Sequence, residues 1–136
     1  MTQFEEDVAT EPAAIADSTD RAMEFLQNAG VDARAVHHVA LVLEEILTNI
    51  ATHGGGPAEP TKVRITVEPK RVAGEIFDSG SPYDPRTGPT PDLEATLEDR
   101  RIGGLGLHLV KQLTSELDYE RRGERNRTVF AIARAG

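Results

Sequence analysis

Between residues 79 and 102 the chain carries Pro82, Pro85, Pro89 and Pro91 together with Gly80 and Gly88. Each proline removes a backbone donor and clashes with the preceding turn, so no helix or central strand crosses this stretch. The chain is therefore divided: whatever precedes residue 79 and whatever follows residue 102 must pack together across a long loop. Loops of that length are usually functional or disordered.

On the N-terminal side, Val63, Ile65 and Val67 alternate with Lys62, Arg64 and Thr66, and a second apolar strand runs from Val72 to Phe77 after Pro69, Lys70 and Arg71. This is a hairpin pattern. Before it, Val36, Val39, Ala40, Leu43, Leu47 and Ile50 recur at three-and-four spacing, which predicts a helix from just after Asp32 to about His53, stopped by Gly54, Gly55, Gly56 and Pro57. Leu41 and Val42 widen its apolar surface, so this helix is expected to be covered on more than one side. An earlier helix is expected from a cap at Asp17 or Ser18 to Asn28, with Gly30 as its stop signal and Ala22, Phe25, Leu26 and Ala29 inward. Residues 3–9 read as a short edge strand, despite Glu5, Glu6 and Asp7.

Beyond the loop, Gly103, Gly104 and Gly106 lead into a helix expected from Leu105 to Ser115. Two closing strands follow, Leu117 to Arg122 and Thr128 to Arg134, turned at Gly123 to Asn126. Helices first and hairpin-linked strands afterwards predict an α+β two-layer sandwich, a mixed, largely antiparallel sheet with helices on one face.

At 136 residues, 38% hydrophobic and 28% charged, the sequence reads as one domain, residues 1–136. A chain of this size buries roughly two-thirds of its unfolded surface. With no cysteine, there is no disulfide framework, thiolate nucleophile or cysteine-based zinc site. The net charge of −8 and 4% aromatic content argue against nucleic acid, which selects basic grooves with stacking rings. The opening MTQFEEDVAT is acidic where a targeting signal is basic, and no apolar run is long enough to span a bilayer. The expectation is a cytoplasmic protein with no membrane association. His37, His38, His53 and His108 lack metal-ligand spacing and are assigned structural roles.

Three segments carry candidate chemistry. Glu45 and Asn49 lie four residues apart, on one face of the second helix. Asn49 can offer a hard oxygen to magnesium and Glu45 can accept a proton from an attacking hydroxyl; a solvated polar pair is the competing reading. Asp78, Ser79 and Gly80 end a strand. Asp78 can accept a hydrogen bond from the exocyclic amine of adenine, or simply close a turn. Gly103, Gly104, Leu105 and Gly106 open a helix whose amides and dipole suit phosphate, with Arg100 and Arg101 just before them; a glycine hinge is the alternative. Neither a Walker loop nor a dinucleotide fingerprint fits this spacing.

In order and spacing, EILTN at 45–49, DSGSPYDP at 78–85 and GGLGLHLV at 103–110 resemble the N, G1 and G2 boxes of the GHKL (histidine kinase-like) ATPase superfamily. Within it, the chain is similar to the RsbW-like anti-sigma factor serine/threonine kinases of bacterial partner switching, over nearly its whole length. The resemblance implies the Bergerat ATP-binding fold with ATP and Mg2+ as cofactors. Glu45 would be the general base, Asn49 the magnesium ligand and Asp78 the adenine reader, with Gly80 behind it. Arg101, Gly103, Gly104, Leu105 and Gly106 would serve the phosphates. Pro82 stands where the broader superfamily often has a glycine, and Tyr83, Asp84 and Pro85 match the aromatic-Asp-Pro of many RsbW-like chains.

The function so implied is transfer of the ATP γ-phosphoryl group to a serine or threonine of a small antagonist protein, coupled to sequestration of a sigma factor or equivalent target. A homodimer and a partner phosphatase go with it. The alternative is an ATP-gated protein-binding module with little turnover; intact Glu45 favours the kinase.

Overall fold

The apolar alternations close into a five-stranded sheet. In the computed structural model, which describes residues 2–53, 60–87 and 105–135, the elements are β1 (Thr2–Val8), α1 (Pro12–Asn28), α2 (Ala33–His53), β2 (Thr61–Val67), β3 (Arg71–Asp78), a 3-10 turn (Pro85–Thr87), α3 (Leu105–Leu113), β4 (Glu116–Arg122) and β5 (Arg125–Ala133). The sheet order is β1-β2-β3-β5-β4. All four pairings are antiparallel, so the expected mixture of directions resolves to antiparallel among the described residues.

This order places β5 between β3 and β4, which sets the end of β3 beside the start of β5: Asp78 pairs with Asn126, Ile76 with Thr128 and Gly74 with Phe130. Val63, Ile65, Val72, Ile76, Phe130 and Ile132 are buried and join one core with α1, α2 and Val110 of α3. Gly74 is required there. A Cβ at residue 74 would overlap the Phe130 ring, coming within 2.9 Å of Cε2, so the missing side chain is the space the ring fills.

Helix α2 has the boundaries its pattern predicts. Asp32 Oδ2 accepts from the Ala35 amide at 3.2 Å, an N-terminal cap. All six residues of the expected stripe are buried, and so are Ala35, Val42 and Ile46. The helix packs on α1, α3 and the sheet, which explains its width of apolar surface.

Helix α1 differs from expectation. It starts at Pro12, not after Asp17 or Ser18, with Glu11 at its N-cap and no side-chain capping bond. Proline at the first helical position supplies a preset φ and omits an amide that would have no partner there. Ser18 and Thr19 are buried; Ser18 Oγ donates to Glu6 Oε1 at 2.5 Å and Thr19 Oγ1 to the Ile15 carbonyl at 2.8 Å. The acids of β1 are likewise accommodated. Glu6 pairs with Arg21 at 3.0 Å, and Glu5, on the outer face, with Arg64 at 3.0 Å and Lys62 at 3.7 Å.

Smaller shifts mark the C-terminal half. Helix α3 ends at Leu113, because the Ser115 amide bonds the Ala131 carbonyl at 2.8 Å and starts the sheet instead. Strands β4 and β5 begin at Glu116 and Arg125, and Arg122 pairs with Arg125. The turn is thus Gly123–Glu124, two residues, with Gly123 at φ 59°. Positive φ at the first central residue is the geometry that glycine provides in a tight hairpin.

Candidate functional site

The C-terminal half of α2, the end of β3 and the start of β5 line a small cleft that opens to solvent. Its walls are Ile46, Asn49 and Ile50 from α2, Asp78 from β3, Ser81, Tyr83 and Pro85 beyond it, and Asn126 and Thr128 from β5. Apolar walls with a few converging polar groups suit a flat heteroaromatic ring.

Asp78 is buried, 3% exposed. Its Oδ2 accepts from the Gly80 amide at 3.0 Å and from Asn126 Nδ2 at 3.0 Å. The first of these bonds is the turn chemistry expected of Asp-x-Gly. The second belongs to a network. Asn126 Nδ2 also lies 3.2 Å from the Gly80 carbonyl and 3.0 Å from that of Ser81. Its Oδ1 accepts from the Tyr119 hydroxyl and from Arg121 Nη1, the latter at 3.1 Å, and Arg121 Nη1 donates to the Gly80 carbonyl at 2.7 Å.

Asn49 lines the same cleft, and its Nδ2 is buried without a hydrogen-bond partner; Ser79 Oγ, outside the lining, is also buried without one. An unpaired buried amide costs roughly 1–3 kcal/mol, so Asn49 is a group that a ligand or its hydration would satisfy. Among the described residues, no cluster of three or more His, Asp or Glu is arranged to hold a metal. A cation reaching Asn49 Oδ1 must therefore draw most of its ligands from elsewhere. Magnesium, which keeps waters and phosphate oxygens around one or two protein ligands, fits that pattern.

One turn earlier on α2, Glu45 is half-buried. Burial pushes its carboxyl pKa above the ordinary value, and neighbouring Glu44 adds to the shift. Its carboxylate lies against Gly106 in the first turn of α3: a Cβ at 106 would overlap Oε2 and come within 2.7 Å of Cδ. The N-terminal end of one helix thus rests on the carboxylate of another, across 61 positions of sequence. Tyr83, expected only as part of an aromatic-Asp-Pro match, stacks on His53 with ring centroids 4.9 Å apart and planes 7° from parallel. This gives the end of α2 a packing partner at the rim of the cleft.

Against known proteins, the description "Histidine kinase-like ATPase domain" matches residues 8–132. The chain belongs to the histidine kinase-like ATPase family. A curated family relative, the serine/threonine-protein kinase BtrW of Bordetella bronchiseptica, is 35% identical over 92 residues, 66% of this chain. The match spans 65% of BtrW.

Among solved structures, the chain is similar to the RsbU and RsbW domains of Rv1364c from Mycobacterium tuberculosis, with a TM-score of 0.72 at 13% identity, covering all of this chain and 34% of that one. It is also similar to the SiaB-SiaC complex from Pseudomonas aeruginosa, TM-score 0.62 at 15% identity, covering 96% and 89%. At such identities these likenesses establish the fold, the family's α+β sheet with helices.

Of the sequence-derived site residues, the structure brings Asn49 and Asp78 to one cleft, with Gly80 bonded behind Asp78. It sets Glu45 against Gly106. Arg101, Gly103 and Gly104 lie outside the described residues, and for Leu105 the description covers only its place at the start of α3. Sequence reasoning missed Asn126 and Thr128, having read Asn126 as a turn residue. The signal was available: in a two-residue turn after Arg122, positions 126, 128, 130 and 132 share the core face.

Proposed function

We propose that this chain is an ATP- and Mg2+-dependent serine/threonine protein kinase and anti-sigma regulatory factor of a bacterial partner-switching system. It phosphorylates a small antagonist protein and sequesters a sigma factor or equivalent target. The observation that carries the reading is the placement of Glu45: a half-buried carboxylate with raised pKa, one helical turn from the cleft residue Asn49 and in contact with Gly106. The family and the kinase name of its relative BtrW support it.

In this reading Asp78 accepts a hydrogen bond from the adenine amine, and the apolar walls Ile46, Ile50 and Pro85 hold the ring. Asn49 Oδ1 would hold the magnesium ion, and the α3 amides, with Arg101, Gly103, Gly104 and Leu105, would bind the phosphates. The magnesium ion held there would neutralise charge that builds on the transferred group. Glu45 takes the proton of the incoming serine or threonine hydroxyl. A carboxylate whose pKa is raised is a stronger base than an ordinary one. Phosphoryl transfer depends mostly on alignment and charge stabilisation, so this small set suffices.

The same proposal takes residues 1–136 as one ATPase unit, acting in the cytoplasm as a homodimer. Among the described residues, no helix is long and apolar enough to cross a membrane. The SiaB-SiaC likeness supports a protein partner.

The test is radiolabelled ATP with purified antagonist. Transfer by the wild type, abolished in Glu45→Ala with nucleotide affinity kept, is the expected result. ATP-dependent partner binding without transfer in the wild type would instead assign an ATP-gated binding module.

A further inference from the structure

Asn126 is 3% exposed and sits at the centre of the polar network beneath the cleft. The orientation of its amide is fixed by its neighbours. Arg121 can only donate, so the atom 3.1 Å from its Nη1 must be the Asn126 oxygen. The nitrogen therefore faces Asp78 Oδ2 and the carbonyls of Gly80 and Ser81, all acceptors. With Oδ2 engaged by Asn126 and by the Gly80 amide, the carboxylate that lines the cleft has Oδ1 left for a ligand.

We propose that Asn126, held by Tyr119 and Arg121, is a positioning residue that fixes the Asp78 carboxylate and the Gly80–Ser81 backbone for a purine bearing an exocyclic amine at C6. It thereby sets a preference for adenine nucleotides over 6-oxo purines. The inference deepens the nucleotide reading above and rests on it. A 6-oxo purine presents an acceptor to Asp78, and a site built to pair a ligand N–H discriminates strongly against a ligand lacking it. Asn126 touches no ligand atom in this account; it acts through Asp78. The side chain is well suited to the task, because it presents donors on one side and an acceptor on the other. Aspartate is nearly isosteric but would place an oxygen against Asp78 Oδ2.

The test is calorimetric titration of the full chain with Mg-ATP and with Mg-ITP, which carries oxygen in place of the C6 amine. Wild type is expected to bind ATP more tightly than ITP. In Asn126→Ala and Asn126→Asp, ATP affinity is expected to fall about tenfold, the scale of a bond to a charged group, with ITP affinity changed less than about twofold. The ATP-to-ITP ratio thus collapses, which a merely structural residue would not cause. Equal losses for both nucleotides, or an unchanged ratio in folded variants, would overturn the proposal.

Arg121→Ala covers the case in which the Asn126 variants do not fold. It removes one donor from Asn126 Oδ1 and one from the Gly80 carbonyl, and the ratio should fall about threefold. A ratio unchanged in folded Arg121→Ala would count against the network. Wild type that binds neither nucleotide would instead refute the nucleotide reading on which the proposal rests.

Discussion

Gly106 and Glu45 are in contact: the first turn of α3 approaches the carboxylate of α2 so closely that a Cβ at 106 would overlap Oε2. Two segments that share no sequence neighbourhood thereby form one place, and the glycine requirement is steric. The atom in the way is the far end of a flexible side chain, so a Gly106→Ala substitution can be accommodated by moving the carboxylate. We expect stability to change by less than about 1 kcal/mol while phosphoryl transfer falls about ten- to a hundredfold, since small misplacements of reacting groups are costly. Urea denaturation and single-turnover kinetics on the same variant separate the two effects.

The raised pKa of Glu45 gives two pH-dependent expectations. As a base the carboxyl must be ionised, so the transfer rate should climb with pH through a midpoint above the ordinary carboxylate range. For stability the sign is opposite. A carboxyl whose folded pKa exceeds its unfolded value favours the folded state below the unfolded pKa, and that advantage is lost as pH rises through the folded pKa. Glu45→Gln, which cannot ionise, should therefore have a higher Tm than wild type at pH 7.5, and the difference should shrink toward pH 4. Thermal melts across that interval check it.

Gly74 and Phe130 are register partners on the core face, and the ring occupies the space a Cβ would need. Gly74→Ala overpacks a buried site where Phe130 has no exposed surface to retreat into. A loss of about 1–3 kcal/mol is expected. The double variant Gly74→Ala, Phe130→Leu should lose less than the sum of the two single changes, as contacting residues do in a mutant cycle. Equilibrium denaturation of the four proteins measures this.

The stack of His53 on Tyr83 lies at the rim of the cleft, so His53→Ala should weaken nucleotide binding by at most about two- to twelvefold, in line with an aromatic pair worth roughly 0.5–1.5 kcal/mol. Loss of binding altogether would show that His53 does more than pack. Calorimetry reads the difference.

Periodic patterns were the readable part of this sequence. The stripe of α2 gave both its ends and its core face, because Asp32 caps it and a glycine run follows it. The strand alternations gave the hairpins for the same reason. Helix α1 was placed six or seven residues late because a Pro12 start with an uncapped Glu11 leaves none of the Ser, Asp or Thr signals that sequence reading relies on. Among site residues, Glu45, Asn49 and Asp78 were candidates with plain structural alternatives when read singly, and it was the resemblance to the family's three boxes that gave them roles. Asn126 did not stand out: its role is a buried bond to a residue 48 positions away, and only the order β3-β5-β4 brings the two together. A local reading of Arg-Asn-Arg after a glycine sees a turn.

The central claim is that α2, the end of β3 and the start of α3 serve one nucleotide. Amide and side-chain NMR shifts of labelled protein on addition of Mg-ATP test it most directly. The account predicts saturable changes at Asn49, Gly80, Asn126 and Gly106 with a single dissociation constant. Saturable changes that leave Gly106 unmoved, or that fall away from the cleft altogether, would contradict it.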